Sequence, residues 1–175
     1  MSAREFSKVS PALWRSGRFM ALDDAGKVQF VYFITNAHVN SSGVYHLPDG
    51  YACSDLQCSL EQYTQIRERL VAAGMVDWDE DYSLILIERW FKHNGPTNDD
   101  HATGTLRFLT NIESDRLREK ALTDFNEAND RRIEKQAEKR AEQERKAANR
   151  SNMASQIIGA SSALLNTRMM GGRRG

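Results

Sequence analysis

Ser59, Glu61, Gln62, Thr64, Gln65 and Arg69 form the densest group of recognition-capable side chains in this sequence. At the start of a helix they would present a row of hydrogen-bonding groups. Gln can pair bidentately with an adenine edge, and Glu can accept from the cytosine amino group. Ser and Thr hydroxyls, with the free amides of a helix N-terminus, can reach phosphates. That set suits major-groove reading of duplex DNA. Ser59 and Gln62 also have the spacing of a capping box. Arg15 and Arg18, with Arg4 and Lys8, are positioned to flank a groove, although surface solubility explains them equally well. A second basic group, Arg131, Arg132, Lys135, Lys139 and Arg140, continues to Arg145, Lys146 and Arg150. It can contact phosphates without sequence preference, or, with its interleaved glutamates, be only a solvated helix.

Other chemistries find less support. Gly-rich phosphate loops and nucleophile motifs are missing, so an enzyme is not expected and no cofactor is implied. Cys53 and Cys58 lack ordered partners among the scattered His38, His46, His93 and His101, which points to small buried thiols rather than zinc. Asp79-Glu80-Asp81 suggests a cation loop, but an exposed acidic turn more often binds nothing. Trp14, Trp78 and Trp90 could stack on single strands; their apolar neighbours favour packing instead.

The 175 residues carry equal numbers of acidic and basic side chains, unevenly distributed. Residues 1–92 hold nine Lys and Arg against twelve acids, and residues 93–130 hold four against eight. Residues 131–175 reverse this with eleven against four. Long-range attraction to a polyanion would therefore come from the C-terminal part. No apolar run approaches the ~18 to 20 residues that span a bilayer, so a cytoplasmic location away from membranes is expected.

The elements that must position these groups follow from periodicity and punctuation. Ser10-Pro11 reads as a helix start, and Phe6, Val9, Leu13, Trp14, Phe19 and Leu22 could cover one side of a core. A helix over 24–38 would use Val28, Val31, Tyr32, Ile34 and Thr35 as its apolar face. Residues 44–47 read as an edge strand stopped by Pro48, and 51–56 as a brief helix. The best-supported helix, 60–73, ends at Gly74, with Leu60, Tyr63, Ile66 and Leu70 on one face. Arg67 falls on the polar side beside Glu68 and Arg69. Residues 75–78 and 84–90 form a hairpin whose acidic turn would be a wing. The fold class is mainly α with a small β-hairpin: a winged helix-turn-helix domain over 6–95, a linker with a short helix over 96–112, a long charged helix over 113–150, and a flexible basic, partly amphipathic tail over 151–175. Leu106, Phe108 and Leu109 could pack back on the domain, and Ile157, Ile158, Leu164 and Leu165 could bind a partner.

Several segments are similar to a known family. Ser10-Pro11-Ala12-Leu13-Trp14, Tyr32-Phe33-Ile34-Thr35-Asn36-Ala37-His38, Gly43-Val44-Tyr45-His46-Leu47-Pro48, Leu70-Val71-Ala72-Ala73-Gly74-Met75-Val76 and Ile85-Leu86-Ile87-Glu88-Arg89-Trp90-Phe91 together resemble the N-terminal winged helix of phage replisome-organiser and replication-initiator proteins, also seen in DnaD-type primosome proteins. The resemblance implies a phage or prophage protein that binds origin DNA or oligomerises, and helps recruit the host replicative helicase. By it, Gln62, Gln65 and Arg69 lie on the reading-helix surface, while Tyr45, Leu47, Leu70, Gly74, Val76 and Ile87 are structural. The chain departs from the family downstream, where a long charged helix replaces a second folded domain. Two alternatives stand beside DNA replication: a protein–protein adaptor using the acidic wing and the tail, and a winged-helix transcriptional regulator. The latter would need a dimer, for which the sequence offers no seam, so the oligomeric state is unknown.

Overall fold

The computed structural model describes residues 7 and 9–170, with 151–170 as backbone alone. Arg4, Phe6, Lys8, the side chains of Ile157, Ile158, Leu164 and Leu165, and residues 171–175 lie outside the described residues. The chain divides into two units, Met1–Asp130 and Arg131–Gly175.

Unit 1 opens with a 3-10 helix, Pro11–Arg15, capped by the Ser10 hydroxyl, and a short α1, Gly17–Met20. Then come α2 (Asp24–Thr35), β1 (Val44–His46), α3 (Asp49–Leu56), α4 (Leu60–Ala72), β2 (Val76–Asp79), β3 (Leu84–Ile87), α5 (Trp90–Asn94), α6 (Asp99–Thr110) and the start of α7 (Asp115–Met170). The fold is thus mainly helical with a small antiparallel sheet. The β2–β3 hairpin takes β1 as a third strand, in the order β1-β3-β2. Val44 pairs with Leu86 on one side of β3, and Val76 with Ile87 on the other.

The buried stripe of α2 is Gly26, Gln29, Phe30 and Phe33, rather than the expected face containing Val28, which is 60% exposed. The cause is Gln29: its Nε2 donates to the Tyr63 carbonyl at 3.1 Å, so a polar residue joins α2 to α4 inside the core. The helix also ends three residues early. Asn36 leaves the helical region, and its Nδ2 donates to the Tyr32 carbonyl and to Tyr45 Oη. Tyr45 Oη in turn donates to the Phe33 carbonyl at 2.5 Å, fastening β1 to the end of α2.

In α4 the capping box forms as read, and Gly74 follows with a φ of +61°. The core face is Tyr63, Arg67 and Leu70, with Leu60 turned out at 57% exposure. Arg67 is a correction to the expected polar face, since it is buried. All four residues of β3 are buried. Both faces of the sheet are therefore covered, one of them by the first turns of α7, where Leu117, Ala121, Phe125 and Ala128 are buried.

The strand predicted to run to Trp90 stops at Ile87. Arg89 adopts a left-handed φ of 58°, and the chain turns into α5. Helix α6 is longer than a short linker helix, and it buries Leu109 while Leu106 and Phe108 face out. Trp14 is 61% exposed, edge-on to Phe19, which corrects its expected place in the core. Cys53 and Cys58 are half-buried free thiols.

Unit 2 continues α7 as one helix through Met170, in place of a separate tail segment. Its described side chains are nearly all exposed, Lys135, Lys139 and Arg140 among them. Along it Lys146 pairs with Glu142 one turn earlier. No helix among the described residues is long and apolar enough to cross a membrane.

Candidate nucleic-acid interface

The N-terminal turn of α4 gathers Ser59, Glu61, Gln62, Thr64 and Gln65 as expected, but several are already engaged. Ser59 Oγ accepts from the Gln62 amide and Gln62 Oε1 accepts from the Ser59 amide, both at 3.2 Å. Thr64 Oγ1 donates to the Leu60 carbonyl at 2.9 Å. Gln65 Nε2 donates to Glu61 Oε1 at 3.4 Å, a weak exposed contact. Glu61 and Gln65 are thus the two polar groups most easily released toward a ligand.

The arginines do not join them. Arg69 Nη1 meets Asp23 Oδ2 at 2.7 Å, and both groups are about half exposed. The Arg69 hydrogen bond, the Gly26 amide and the Arg69 charge hold the Asp23 carboxyl below its ordinary value. Arg18 donates to the Gly74 carbonyl. Gly74 closes the far end of α4, about 20 Å from Leu60 at 1.5 Å per residue. Arg18, and Arg15 in the preceding turn, therefore belong to a different surface from Ser59 and Gln65.

The acidic hairpin divides into two parts. Asp77 and Asp79 are mostly buried and face α7. Asp77 receives Arg116 and Lys120, each at 2.8 Å, and Lys120 also reaches Glu88 at 2.5 Å. Ser114 caps α7 by accepting from the Leu117 amide, and its hydroxyl donates to Asp79 Oδ2. Asp124 accepts from the Phe91 amide at 3.1 Å. These acids tie β2, β3 and α5 to α7 and are not part of a repulsive loop. Of the hairpin's acids, Glu80 and Asp81 alone stay exposed at the turn. The i, i+4, i+8 spacing of Arg116, Lys120 and Asp124 on one face of α7, behind the capping Ser114, was the signal in the sequence, and it needed the hairpin's position to be understood.

Burial raises the pKa of Asp77, but the hydrogen bonds and charges of Arg116 and Lys120 outweigh it and hold the carboxyl below its usual range. A carboxylate held low stabilises the fold above its unfolded value of about 3.9. That contribution is lost as pH falls through the lower folded value. Asp77→Asn is expected to cost ~1–2 kcal/mol at neutral pH, allowing for the half-exposed cations. Urea midpoints of the two proteins should converge below roughly pH 4. Parallel pH curves would show that this cluster does not tune stability.

No family model matches the chain, and no curated protein or solved structure is significantly similar to it.

Proposed function

We propose that this chain is a winged-helix DNA-binding protein acting in phage or prophage replication. The observation that carries the reading is the element order α2-β1-α3-α4-β2-β3 with sheet order β1-β3-β2. In that arrangement α3 and α4 are a helix-turn-helix, α4 is the helix that enters a major groove, and the β2–β3 turn is the wing. The replication role rests on the segments that resemble replisome-organiser proteins.

Ser59 and Gln62 are spent on the cap, so base contacts fall to Glu61 and Gln65, with Thr64 and the amides of the first turn at phosphates. Cations on α4 contribute little, since Arg67 is buried and Arg69 is paired. Nonspecific attraction then comes from the basic stretch of α7 that includes Lys135, Lys139 and Arg140, with Arg131 and Arg132 beside them. Double-stranded DNA is the preferred partner under this reading. Helicase recruitment has only the resemblance behind it.

The test is anisotropy of duplex and single-stranded DNA with the full chain over a salt series, joined to selection from a random duplex pool. Glu61→Ala/Gln65→Ala should abolish the enriched motif while leaving nonspecific affinity intact. Removal of each base-reading side chain should take away ~1–3 kcal/mol of discrimination. Lys135→Gln/Lys139→Gln/Arg140→Gln should instead leave the motif and flatten the salt slope by ~0.9 for each phosphate no longer neutralised. An absence of DNA binding at moderate salt would favour the adaptor reading, which the internally paired arginines and the exposed Glu80-Asp81 turn support.

A further inference from the structure

A second surface lies at the opposite end of the hairpin from the acidic turn. Between the 3-10 helix with α1 on one side and α5 on the other is a cavity of about 600 Å³. That volume falls in the range of ligand-binding clefts. Its floor is apolar, built from Leu13, Phe30, Ile34, Met75, Ile87 and Trp90. Arg15, Arg89, Lys92 and His93 stand around it, all exposed. Among the described residues these four side chains make no hydrogen bond or ion pair. Glu88, the acid that borders the cavity, is drawn away by Lys120 at 2.5 Å. An apolar cavity rimmed by the unpaired cations Arg15, Arg89 and Lys92, with the His93 imidazole beside them, calls for an acidic occupant with an apolar or aromatic part.

The chain itself carries such a group. Glu80, Asp81 and Tyr82 form the exposed tip of the β2–β3 turn, and Tyr82 is 43% exposed. Among the described residues neither carboxylate there has a partner. The turn cannot enter its own cleft. Met75 and Ile87 sit at the open end of the hairpin, and the strand Val76–Asp79 separates them from the turn by ~13 Å at 3.3 Å per residue. We propose that the Glu80-Asp81-Tyr82 turn of one copy docks in the Arg15–Arg89–Lys92–His93 cleft of another, so that the protein assembles head to tail. The two surfaces differ, so the contact is heterologous and propagates unless a ring closes. It uses neither Glu61 nor Gln65, and its success or failure is independent of the DNA reading.

Sedimentation velocity of the nuclease-treated full chain, over a concentration series at low and high salt, tests this. The wild type should self-associate, and high salt should weaken the association. Arg15→Glu/Lys92→Glu destroys the cleft's charge but keeps the turn. Glu80→Lys/Asp81→Lys does the reverse. Each variant alone should associate ~tenfold or more weakly than the wild type. An equimolar mixture should recover association, because the intact turn of one variant meets the intact cleft of the other and the reversed turn meets the reversed cleft. Recovery on mixing cannot arise from misfolding, and a chain carrying all four reversals should recover association by the same complementarity. Should either pair of reversals fail to fold, Tyr82→Ser gives the milder variant. A wild type that is monomeric throughout, association indifferent to both pairs, or a mixture that stays monomeric would each overturn the proposal. The first of these would leave the cleft to an acidic segment of another protein.

Discussion

Gly43→Ala is expected to lower folding stability by about 2 to 5 kcal/mol, one of the largest losses for so small a change in this chain. Two penalties coincide. Gly43 has a φ of +69°, where a Cβ costs ~1–2 kcal/mol. A Cβ built there would stand 2.3 Å from Trp90 Cγ and 2.7 Å from Trp90 Cβ. Overpacking of that kind typically adds ~1–3 kcal/mol. Trp90 has little room to retreat, because its Nε1 donates to the Ser41 carbonyl at 3.0 Å and its neighbour Phe91 packs edge-on against Phe125. The Gly43 carbonyl also accepts from the Ile87 amide at 2.9 Å, so movement there would disturb β3. Urea unfolding followed by tryptophan fluorescence measures the loss. In a Trp90→Ala background, which removes Cγ and Cδ1, Gly43→Ala should lose most of its steric cost and keep its backbone cost. A loss below ~1 kcal/mol for the single change would mean that Trp90 does not rest on Gly43.

The same glycine shows what could and could not be read from the sequence. Gly43 and Gly74 were legible as turn residues, and Ser59 with Gln62 as a cap, because those signals are local. The strand, two helices and strand pair between Val44 and Ile87 followed from punctuation and period. Residues governed by distant partners were not legible. Gln29 looks like a surface residue until the Tyr63 carbonyl is placed opposite it. Asp77 and Asp79 look like a repulsive loop until Arg116, Lys120 and Ser114 arrive from 35 or more positions later in the chain. Trp90 reads as the end of a strand, yet the left-handed Arg89 makes it the start of a helix. Within the candidate site, the row at the start of α4 was visible. That Arg15 and Arg18 belong to another surface was not, since no local pattern records which end of α4 they meet.

Arg67 is the residue for which this difference has the largest energetic consequence. By residue type it belongs with Glu68 and Arg69, yet its helical spacing places it between Tyr63 and Leu70, and it is only 8% exposed. Its Nη1 meets Asp49 Oδ1 at 2.5 Å, in the first turn of α3. Its guanidinium lies 3.9 Å from the Trp78 ring centroid and 5.2 Å from that of Tyr63. One side chain therefore joins α3, α4 and β2. Removing a buried partner usually costs ~3–5 kcal/mol because a charge is left uncompensated. Here Asp49 keeps some solvent access, with its side chain 30% exposed, and remains at a helix N-terminus that favours a carboxylate. A cation stacked on an aromatic face in a desolvated site adds ~2 kcal/mol. Arg67→Ala is accordingly expected to cost about 2 to 4 kcal/mol, read as a shifted urea midpoint. Arg67→Lys should keep the charge but lose the planar stacking, and so cost less, ~1–2 kcal/mol. Arg67→Met fills the volume without charge and separates packing from ion pairing: if it exceeds Arg67→Ala in stability, packing on Trp78 is the dominant contribution. The hairpin's angle to α4 depends on Trp78, so under the DNA reading Arg67→Ala should also weaken duplex binding without altering any base-reading side chain. A cost below ~0.5 kcal/mol, ordinary for a surface arginine, would remove Arg67 from the core.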